Sequence, residues 1–214
     1  MRPSIIPIGL SGNLVEIFEA LTAVAVVPAI LDEGPQLKGT LFRGIRIVDF
    51  TGARKYPGAS FLCLVGSVRS IRARKDIIKR TGLPQKRFAR FIHQSAKVSA
   101  MAELGQGVVL YDGALLTSNA LLGHHVLVMP RAIIHHDVRI GDYSIVGAGV
   151  IMAGGVTVGP DCYIGSGACI RDGVSIGEGA VVGMGSVVVR DVAPGAVVAG
   201  NPARVLRNAA QPAE

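Results

Sequence analysis

The chain lacks tryptophan, and aromatic residues make up only 5% of its 214 residues. Charged residues are scarce as well, at 17% compared with the usual quarter. Half of the residues are hydrophobic. A chain with so little charge and so many apolar residues is not expected to be intrinsically disordered, because it can bury enough apolar surface to fold.

No hydrophobic run is long enough to span a bilayer. The longest, Leu21–Leu31, contains Pro28 and falls well short of the roughly 18 residues that a transmembrane helix needs. The N-terminus has neither the apolar core nor the cleavage site of a signal peptide. The three cysteines, Cys63, Cys162 and Cys169, show no C-x-x-C spacing and no disulfide framework. We therefore expect a cytoplasmic protein with no membrane partner.

Glycine, in contrast, is abundant, with 28 residues, nearly twice the average usage of roughly 7%. Written in sixes from Ile92, the chain keeps one phase through 17 hexads, as far as Ala193. The first residue of every hexad is Ile, Leu, Val or Met, and the fifth is Ala, Val, Ser or Cys. The glycines do not fall at every third position, which excludes collagen. Self-similarity at a fixed period indicates a repeat architecture instead.

This pattern predicts a parallel β-solenoid. The large aliphatic residue would point into a narrow prism, and the small fifth residue would fill a corner of it. Glycine and polar residues would form the turns, where unusual backbone dihedrals are needed. Three hexads would make one coil of 18 residues, with each coil contacting only its neighbours. Aromatic rings would not fit inside such a prism, which accounts for their scarcity.

The residues before the array predict an α/β unit. The pattern indicates strands over Ile5–Gly9, Ala23–Leu31 and Phe61–Val65, and helices over Leu14–Leu21 and Val68–Thr81. A strand, a glycine turn, a helix and a strand with acidic residues at its carboxyl end form half of a dinucleotide-binding fold. The fold class is therefore a Rossmann-like α/β half domain followed by an all-β parallel helix of hexapeptide repeats.

The glycine turn is only a partial fingerprint. It reads G-x-x-G from Gly9 to Gly12 and lacks the full G-x-G-x-x-G, so a plain glycine turn of any βαβ unit remains open. We expect two domains, a nucleotide-sugar-binding domain over 1–91 and a β-helix domain with a C-terminal tail over 92–214. Their charges differ, because residues 1–91 carry a net +9 and residues 92–214 a net −2.

Much of the positive charge lies in the segment Arg69–Arg90, which holds nine Lys or Arg residues and a single acid, Asp76. Three interpretations are open: a solvated helix face, a surface that attracts phosphorylated small molecules, and a nucleic-acid surface. Aromatic residues that would stack on bases are not interleaved, and no helix-turn-helix or zinc pattern is present. Nucleic acid is therefore not the expected partner.

The strongest candidate for chemistry is His136, which is followed by Asp137. A histidine titrates near neutral pH, so this pair could act as a general base with its charge partner. The 18-residue coil stacks Gly154 and Gly155 above the pair, which leaves a wall without side chains. Backbone N–H groups there could stabilise an oxyanion. The alternative is an ordinary turn rich in glycine and polar residues.

Other reactive residues carry weaker signals. His124 and His125 resemble half of a metal site, but no third ligand is apparent, so we expect surface residues and no metal. Cys162 occupies an inward fifth position and Cys169 a sixth position, and neither has an activating partner in the sequence. Covalent catalysis is therefore unsupported.

Taken together, several features resemble one family, the bacterial sugar acyltransferases. They are the basic α/β half, the hexapeptide array, the I-I-H-H-D-V-R-I-G stretch over 133–141 and the closing segment Pro194–Val205. The family contains N-acetyltransferases of nucleotide-linked 4-amino-4,6-dideoxy sugars and sialic acid O-acetyltransferases. The resemblance implies a left-handed β-helix, acetyl-CoA as co-substrate, and a homotrimer with active sites between subunits.

The resemblance also implies roles for individual residues. The family's general base falls on His136, Asp137 orients the imidazole, and Gly154 offers its N–H to the thioester oxyanion. Acetyl-CoA is then expected to contact Ile145, Gly154, Ser166 and Met184. The nucleotide sugar is expected to contact Ser11, Gly12, Asn13, Asp32, Glu33 and Gly66.

Two departures from the family bear on the acceptor. The family's glycine turn usually ends in Gly-His, whereas Gly12 is followed here by Asn13. An Asn-Thr-Gly run that lines the family's sugar pocket is replaced by Met129, Pro130 and Arg131. The identity of the sugar, and whether an amine or a hydroxyl is acetylated, therefore stay open.

The sequence thus predicts an acetyl-CoA-dependent transferase that acetylates the 4-amino group of a nucleotide-linked amino-dideoxy sugar in surface glycan biosynthesis. One alternative is a sugar O-acetyltransferase of the sialic acid type. A minor alternative is a non-catalytic solenoid that binds nucleic acid.

Overall fold

The computed structural model describes residues 2–208, which form an α/β unit followed by a β-solenoid. The α/β unit contains, in chain order, β1 Ile5–Ile8, α1 Gly12–Val24, β2 Ile30–Leu31, β3 Leu41–Phe42, β4 Ile45–Val48, a 3-10 helix Phe50–Lys55, β5 Ser60–Cys63, α2 Ile71–Arg80 and a second 3-10 helix Gln85–Arg87. The strands form one sheet in the order β3-β4-β2-β1-β5, parallel except for the hairpin β3–β4. Within residues 2–208, no helix has the length and apolar character to cross a bilayer.

The predicted strand Ala23–Leu31 is wrong over most of its length. Helix α1 continues to Val24, and only Ile30 and Leu31 form β2. The helix is longer because the buried residues Leu14, Ile17, Phe18 and Leu21 recur at helical spacing and face the sheet. Between α1 and β2, only Val26 forms a bridge, with Ser4, and Pro28 has no backbone N–H to donate to the ladder.

Two further elements differ from the sequence-based expectation. Helix α2 is shorter than the predicted Val68–Thr81, because Ser67 and Ser70 exchange hydrogen bonds and form a turn ahead of it. The hairpin β3–β4 and the 3-10 helix Phe50–Lys55 were not predicted at all. Their short strands give too few residues for a period of two to be recognised.

The solenoid is built from 17 two-residue strands, β6 to β22. In order they are Phe91–Ile92, Lys97–Val98, Glu103–Leu104, Val109–Leu110, Leu115–Leu116, Leu121–Leu122, Leu127–Val128, Ile133–Ile134, Arg139–Ile140, Ile145–Val146, Ile151–Met152, Thr157–Val158, Tyr163–Ile164, Cys169–Ile170, Ser175–Ile176, Val181–Val182 and Val187–Val188. Each strand pairs in parallel with the strand three further along, so that Leu115 lies beside Ile133, 18 residues later. The predicted left-handed parallel β-helix is confirmed.

The prism has three faces, which we call A, B and C. Face A contains β6, β9, β12, β15, β18 and β21, face B contains β7, β10, β13, β16, β19 and β22, and face C contains β8, β11, β14, β17 and β20. The four-residue turns between strands form the A–B, B–C and C–A corners. The core inside is a single cluster of first-position and fifth-position residues.

Of the two buried serines at fifth positions, Ser144 is hydrogen-bonded inside the prism, whereas Ser186 Oγ has no hydrogen-bond partner among residues 2–208. Ser144 Oγ donates to Gly159 O at 2.9 Å and accepts from Cys162 N at 3.0 Å. Cys162 is fully buried and its Sγ lies 3.1 Å from Gly177 O. Cys162 is therefore part of the core, as expected from its fifth position.

The repeat loses its phase in the last coil, after β22, contrary to the expectation of an unbroken array to Ala193. Ile176 pairs with Val192, only 16 residues later, and Val181 with Val197. The last hexad is therefore two residues short. Strand β23, Ala196–Gly200, continues face A, and β24, Ala203–Asn208, folds back antiparallel on it to close the prism.

The α/β unit packs on face A. Outward residues of this face, including Tyr111, Leu127 and Ile145, share one buried cluster with Leu14 and Ile17 of α1. The buried Arg74 of α2 also crosses this contact, because its Nη1 donates to His125 O at 2.8 Å. The other two faces of the prism are not covered by this unit.

His125 is buried in the same contact, which corrects the expectation that both His124 and His125 lie on the surface. Its ring stacks on Tyr143 with centroids 5.3 Å apart and meets the ring of Phe88 edge-on at 4.5 Å. His125 Nε2 lies 3.2 Å from Gln85 Oε1. Burial, together with the nearby charge of Arg74, lowers the pKa of His125 to about 3, so the ring is neutral.

This neutral histidine predicts a loss of stability in mild acid. In the unfolded chain His125 is protonated below about pH 6.5, whereas in the folded chain it stays neutral down to about pH 3. The unfolded state therefore binds an extra proton in this range, so the free energy of unfolding falls as the pH drops. Between pH 6.5 and 5 we expect a loss of about 2 kcal/mol from this group. Urea unfolding across this range should show the slope, and His125→Gln should flatten it. The exposed His124→Gln is the control, and an unchanged slope in His125→Gln would contradict the assignment.

Candidate active site

His136 and Asp137 lie at the B–C corner, in the turn between β13 and β14. His136 Nδ1 is 2.8 Å from Asp137 Oδ2, and both side chains are more than half exposed. Hydrogen bonds from His136 and Asn119 hold the pKa of the Asp137 carboxyl below its usual value. An imidazole that donates Nδ1–H to this carboxylate keeps its lone pair on Nε2, where it can accept a proton.

Gly154 lies directly beside the imidazole, one coil above. A Cβ added to Gly154 would be 2.4 Å from His136 Cε1 and 2.5 Å from Nε2, a distance no real side chain could keep. The ring can therefore keep this orientation only with glycine at position 154. The coil stacking is as predicted, because Gly155 N donates to His136 O at 2.9 Å and Gly173 N to Gly154 O at 3.0 Å.

The wall above His136 is open. A Cβ built on Gly155 or Gly173 would meet no atom within 4 Å. Within residues 2–208, no acceptor is recorded for the backbone N–H of Gly154. A bare wall with a free donor beside Nε2 is suited to holding a carbonyl oxygen that gains negative charge.

Asn119 supports this pair from one coil below, and the sequence reasoning missed it. Its Nδ2 donates to Asp137 Oδ1 at 3.0 Å, which leaves Oδ2 directed at His136. Asn119 and Asp137 both adopt a left-handed backbone, with φ of 59° and 61°. The 18-residue spacing between the two positions was the signal that could have identified Asn119.

Removing the Asn119 amide is expected to slow catalysis without harming the fold. The variant Asn119→Gly keeps the left-handed backbone at no steric cost and loses only the hydrogen bond. Loss of one such bond corresponds to a fall in kcat/KM of about threefold to tenfold. Asn119→Asp should cost more, because it places a second carboxylate against Asp137. Initial rates and thermal melts test this, and full activity in both variants would contradict a positioning role.

The predicted nucleotide turn comes together at the carboxyl edge of the sheet. Ser11 Oγ and Asn13 Nδ2 donate to Leu64 O at 2.9 and 3.0 Å, and Asn13 Nδ2 also donates to Gly66 O at 2.9 Å. These two side chains therefore join the turn to the end of β5. Gly12 begins α1 and would meet no atom with an added Cβ, so the helix N-terminus is accessible.

The acids after β2 have separate structural tasks. Asp32 accepts hydrogen bonds from Leu10 N and Gly34 N, both at 2.7 Å, and so joins the turns that follow β1 and β2. Glu33 forms an ion pair with Arg80. A cavity of about 150 Å³ lies between Gly9, Asp32 and Val65, at the edge where parallel sheets of this kind bind ligands.

Five of the nine Lys and Arg residues in the basic segment are engaged within the molecule, among them Arg90, whose Nε donates to Gly105 O at 3.0 Å. Arg74 is buried, Arg80 pairs with Glu33, and Lys75 lies 3.8 Å from Asp161. Arg87 donates to Tyr56 O and Ala59 O. These contacts spread the cations over several sides of the unit, which does not suit a continuous nucleic-acid surface.

A larger cavity of about 580 Å³ lies at the A–B corner, between α1 and the solenoid turns. It is lined by Glu16, Ile17, His93, Tyr111, Asp112, Pro130, Arg131, Ala148 and Gly149. The sequence placed the run 129–131 at a sugar pocket but did not indicate that α1 forms the opposite wall. That juxtaposition arises only when the α/β unit docks on face A.

The residues expected to contact acetyl-CoA do not lie together in one chain. Ser166 and Met184 occupy successive turns of the A–B corner, whereas His136 and Gly154 lie at the B–C corner. Met184 is 76% exposed. The Ile145 side chain is 2% exposed and packs against Gly66, so its contact with acetyl-CoA stays a prediction.

Residues 2–208 contain no group of three or more His, Cys, Asp or Glu side chains placed to hold a metal ion. His124 Nδ1 instead accepts from Gln106 N at 2.9 Å. Cys169 is a free cysteine and lies partly exposed on face B.

Comparisons with known proteins agree with this fold. A family model described as bacterial transferase hexapeptide (six repeats) matches residues 119–154 and 155–190. The sequence matched no curated protein at the significance level applied. Similar solved structures nevertheless cover almost the whole chain.

One is PerB from Caulobacter crescentus in complex with CoA and GDP-perosamine, with 29% identity, a TM-score of 0.84, and coverage of 96% of this chain and 98% of that one. Structures of perosamine N-acetyltransferase variants with a single histidine replaced are similar, with 27% identity, a TM-score of 0.86 and coverage of 97% and 99%. Another is the acetyltransferase domain of PglB from Neisseria gonorrhoeae with acetyl coenzyme A, with 26% identity, a TM-score of 0.84 and coverage of 96% and 100%. These matches confirm the resemblance expected from the sequence.

Proposed function

From the resemblance of this chain to the bacterial sugar acyltransferases with a left-handed β-helix, we propose that it acetylates the amino group of a nucleotide-linked sugar. The chain is an acyltransferase, and acetyl-CoA is its co-substrate. The finer assignment concerns the acceptor and the roles of individual residues. The observation that carries it is the arrangement of His136, Asp137 and Gly154 at an open wall.

The proposed chemistry is a direct transfer. The sugar amine attacks the thioester carbon, a C–N bond forms, the C–S bond breaks, and the amine proton passes through His136 to the leaving sulfur. Asp137 holds Nδ1–H so that Nε2 faces the amine, and it stabilises the imidazolium that forms. The Gly154 N–H is placed to donate to the thioester oxygen as charge develops on it. Holding both substrates in one cleft supplies the remaining acceleration.

We further propose that the active site is shared between subunits of a homotrimer. Outward side chains of face B are mostly apolar, namely Leu115, Ile133, Ile151, Cys169 and Val187, and Ile151 is 40% exposed. On face C the corresponding residues are mostly polar, namely Glu103, Arg139, Thr157 and Ser175. An apolar face on an otherwise polar solenoid is typical of a contact between protein chains.

Three copies arranged in a ring with face B inward would bring together the site residues that lie apart in one chain. The A–B and B–C corners flank face B on either side. In such a ring, the A–B corner of one copy meets the B–C corner of the next. The cavity at the A–B corner, with Ser166 and Met184 above it, would then face His136 and Gly154 of a neighbouring subunit.

A charge on face B is therefore expected to break both the assembly and the activity. Ile151→Glu would bury three carboxylates near the threefold axis, so the trimer should dissociate into monomers. Acetyl transfer should fall with it, because the two halves of each site would separate. Light scattering coupled to size-exclusion chromatography measures the mass. Thr157→Glu on face C is the matched control, and a trimeric, active Ile151→Glu protein would contradict this arrangement.

The acceptor assignment rests on the α/β unit. The accessible N-terminus of α1 at Gly12 is suited to a diphosphate, since helix N-termini offer N–H donors and a positive dipole end. From there, the cavity at the A–B corner leads along α1 toward Pro130 and Arg131. A nucleotide-linked sugar would place its diphosphate at the turn and its sugar in this cavity.

The test is transfer from acetyl-CoA to a panel of UDP-, dTDP- and GDP-linked amino sugars and free sialic acid, with release of the CoA thiol recorded. Thiol release only with amino sugars is the expected result. Release with sialic acid alone would favour the O-acetyltransferase. No release with any acceptor would overturn the proposal and favour a non-catalytic solenoid.

A further inference from the structure

The fourth residue adopts a left-handed backbone in 14 of the 17 solenoid hexads, and glycine occupies eight of these 14 positions. Six positions keep another residue, with φ between 56° and 63°, namely Asn119, His125, Arg131, Asp137, Tyr143 and Asp161. A side chain in this conformation costs stability that glycine would not. Residues kept in such conformations tend to cluster at functional sites.

Five of the six have a visible reason to be there. Asn119 and Asp137 hold the His136 imidazole in place. His125 and Tyr143 stack on each other at the contact with the α/β unit. Asp161 lies 3.8 Å from Lys75 of α2.

Arg131 is the exception. Across residues 2–208, its guanidinium has no hydrogen bond, ion pair or ring contact, and the side chain is exposed. It lines the 580 Å³ cavity at the A–B corner, in the same coil as His136. In the proposed trimer, this places Arg131 at the height of the neighbouring subunit's base.

The other charged groups of the cavity do not engage this cation. Asp112 Oδ1 accepts a hydrogen bond from Ser95 Oγ and lies 3.5 Å from His93 Nδ1. Glu16 lies on α1, on the other side of the cavity. An unpaired guanidinium with five donors in a fixed fork is suited to a carboxylate, which it can bind through two parallel hydrogen bonds.

We propose that Arg131 is a specificity-determining residue that binds a carboxylate on the acceptor sugar, so that the preferred acceptor is an acidic sugar. This rests on the proposed function, because it assigns the cavity to the acceptor. The carboxylate has two possible sources, a nucleotide-linked sugar acid and a free acidic sugar of the sialic acid type. The neutral sugar of otherwise identical structure should bind less well.

Binding by calorimetry tests this without depending on turnover. The probes are two matched pairs, UDP-glucose with UDP-glucuronic acid and GDP-mannose with GDP-mannuronic acid, together with free sialic acid. The variant Arg131→Gly removes the guanidinium and relieves the left-handed backbone, so its melting temperature should not fall. Arg43→Gly is the matched control, because Arg43 is also left-handed, with φ of 47°, and lies in the β3–β4 hairpin.

The wild type and Arg43→Gly should bind the acidic member of at least one pair, or sialic acid, about tenfold more tightly than Arg131→Gly does. Affinity for the neutral members should be unchanged. Equal affinity for acidic and neutral members in the wild type, or a preference that persists in Arg131→Gly, would overturn the inference. Binding of sialic acid alone would support Arg131 while overturning the nucleotide-linked acceptor. Binding of none of the five probes would overturn both.

Discussion

Replacing His136 by alanine or asparagine is expected to lower kcat/KM for acetyl transfer by about 10² to 10⁴, the usual contribution of a positioned general base. The amine must lose a proton as it attacks, and His136 Nε2 is the acceptor that the geometry provides. Asparagine retains a polar group of similar length but cannot take up the proton. Both variants should therefore be impaired.

The stability of these variants should be close to that of the wild type. The His136 side chain is 63% exposed and belongs to no core cluster, so truncation leaves no cavity. Thermal melts and the mass of the assembly should be unchanged, which separates a catalytic defect from misfolding.

The matched control is His124→Asn, at an exposed histidine of the C–A corner. Its activity should equal that of the wild type. If His136→Ala kept more than a tenth of the activity, His136 would not be the base. The transfer would then have to depend on solvent or on another group.

Replacing Arg74 by methionine is expected to lower the free energy of unfolding by about 2 to 5 kcal/mol. Arg74 is fully buried, and its guanidinium donates to Val65 O at 2.9 Å, His125 O at 2.8 Å and Cys63 O at 3.1 Å. Burial lowers the pKa of Arg74, which is the cost of keeping this charge away from water. Methionine fills similar space but leaves three buried carbonyl groups without donors.

The loss should be local to the joint between the α/β unit and the solenoid. Two of the carbonyls end β5, and the third belongs to the C–A corner of the prism, so one side chain bridges the two parts. Hydrogen exchange should accelerate in β5 and α2 while the upper coils stay protected. The solenoid core above does not depend on this contact.

Arg72→Met is the matched control, since Arg72 is an exposed residue on the same helix. Urea unfolding should show little change for Arg72→Met and a clear decrease for Arg74→Met. Equal stability of the two variants would mean that apolar packing replaces the three hydrogen bonds, as happens in some buried ionic sites.

The solenoid was predictable because its physics is local and repeated. Every hexad repeats the same pattern of aliphatic, small and turn residues, so one atypical residue does not obscure the period. The 18-residue period also places Gly154 over His136, the candidate base, and the structure has the same stacking. The same period places Asn119 one coil below Asp137, but nothing in the sequence distinguished its amide from any other polar turn residue.

Where the repeat ends, local rules became unreliable. The extended strand predicted for Ala23–Leu31 failed because packing of α1 on the sheet decided where the helix stops. His125 looked like a surface residue because its partners, Phe88 and Tyr143, come from other parts of the chain. The burial of Ile145 against Gly66 was likewise not foreseen, because it arises only when the α/β unit packs on face A.

The sequence by itself determined the prism and its period, because these follow from a repeated pattern along the chain, and its resemblance to a known family indicated the transferase class and the candidate base. Only the tertiary structure decided which face the α/β unit covers and that Arg74 and His125 are buried there. These depend on contacts between residues far apart in sequence, which no periodicity encodes. The separation of the A–B and B–C corners is what makes a second copy of the chain necessary for the proposed active site.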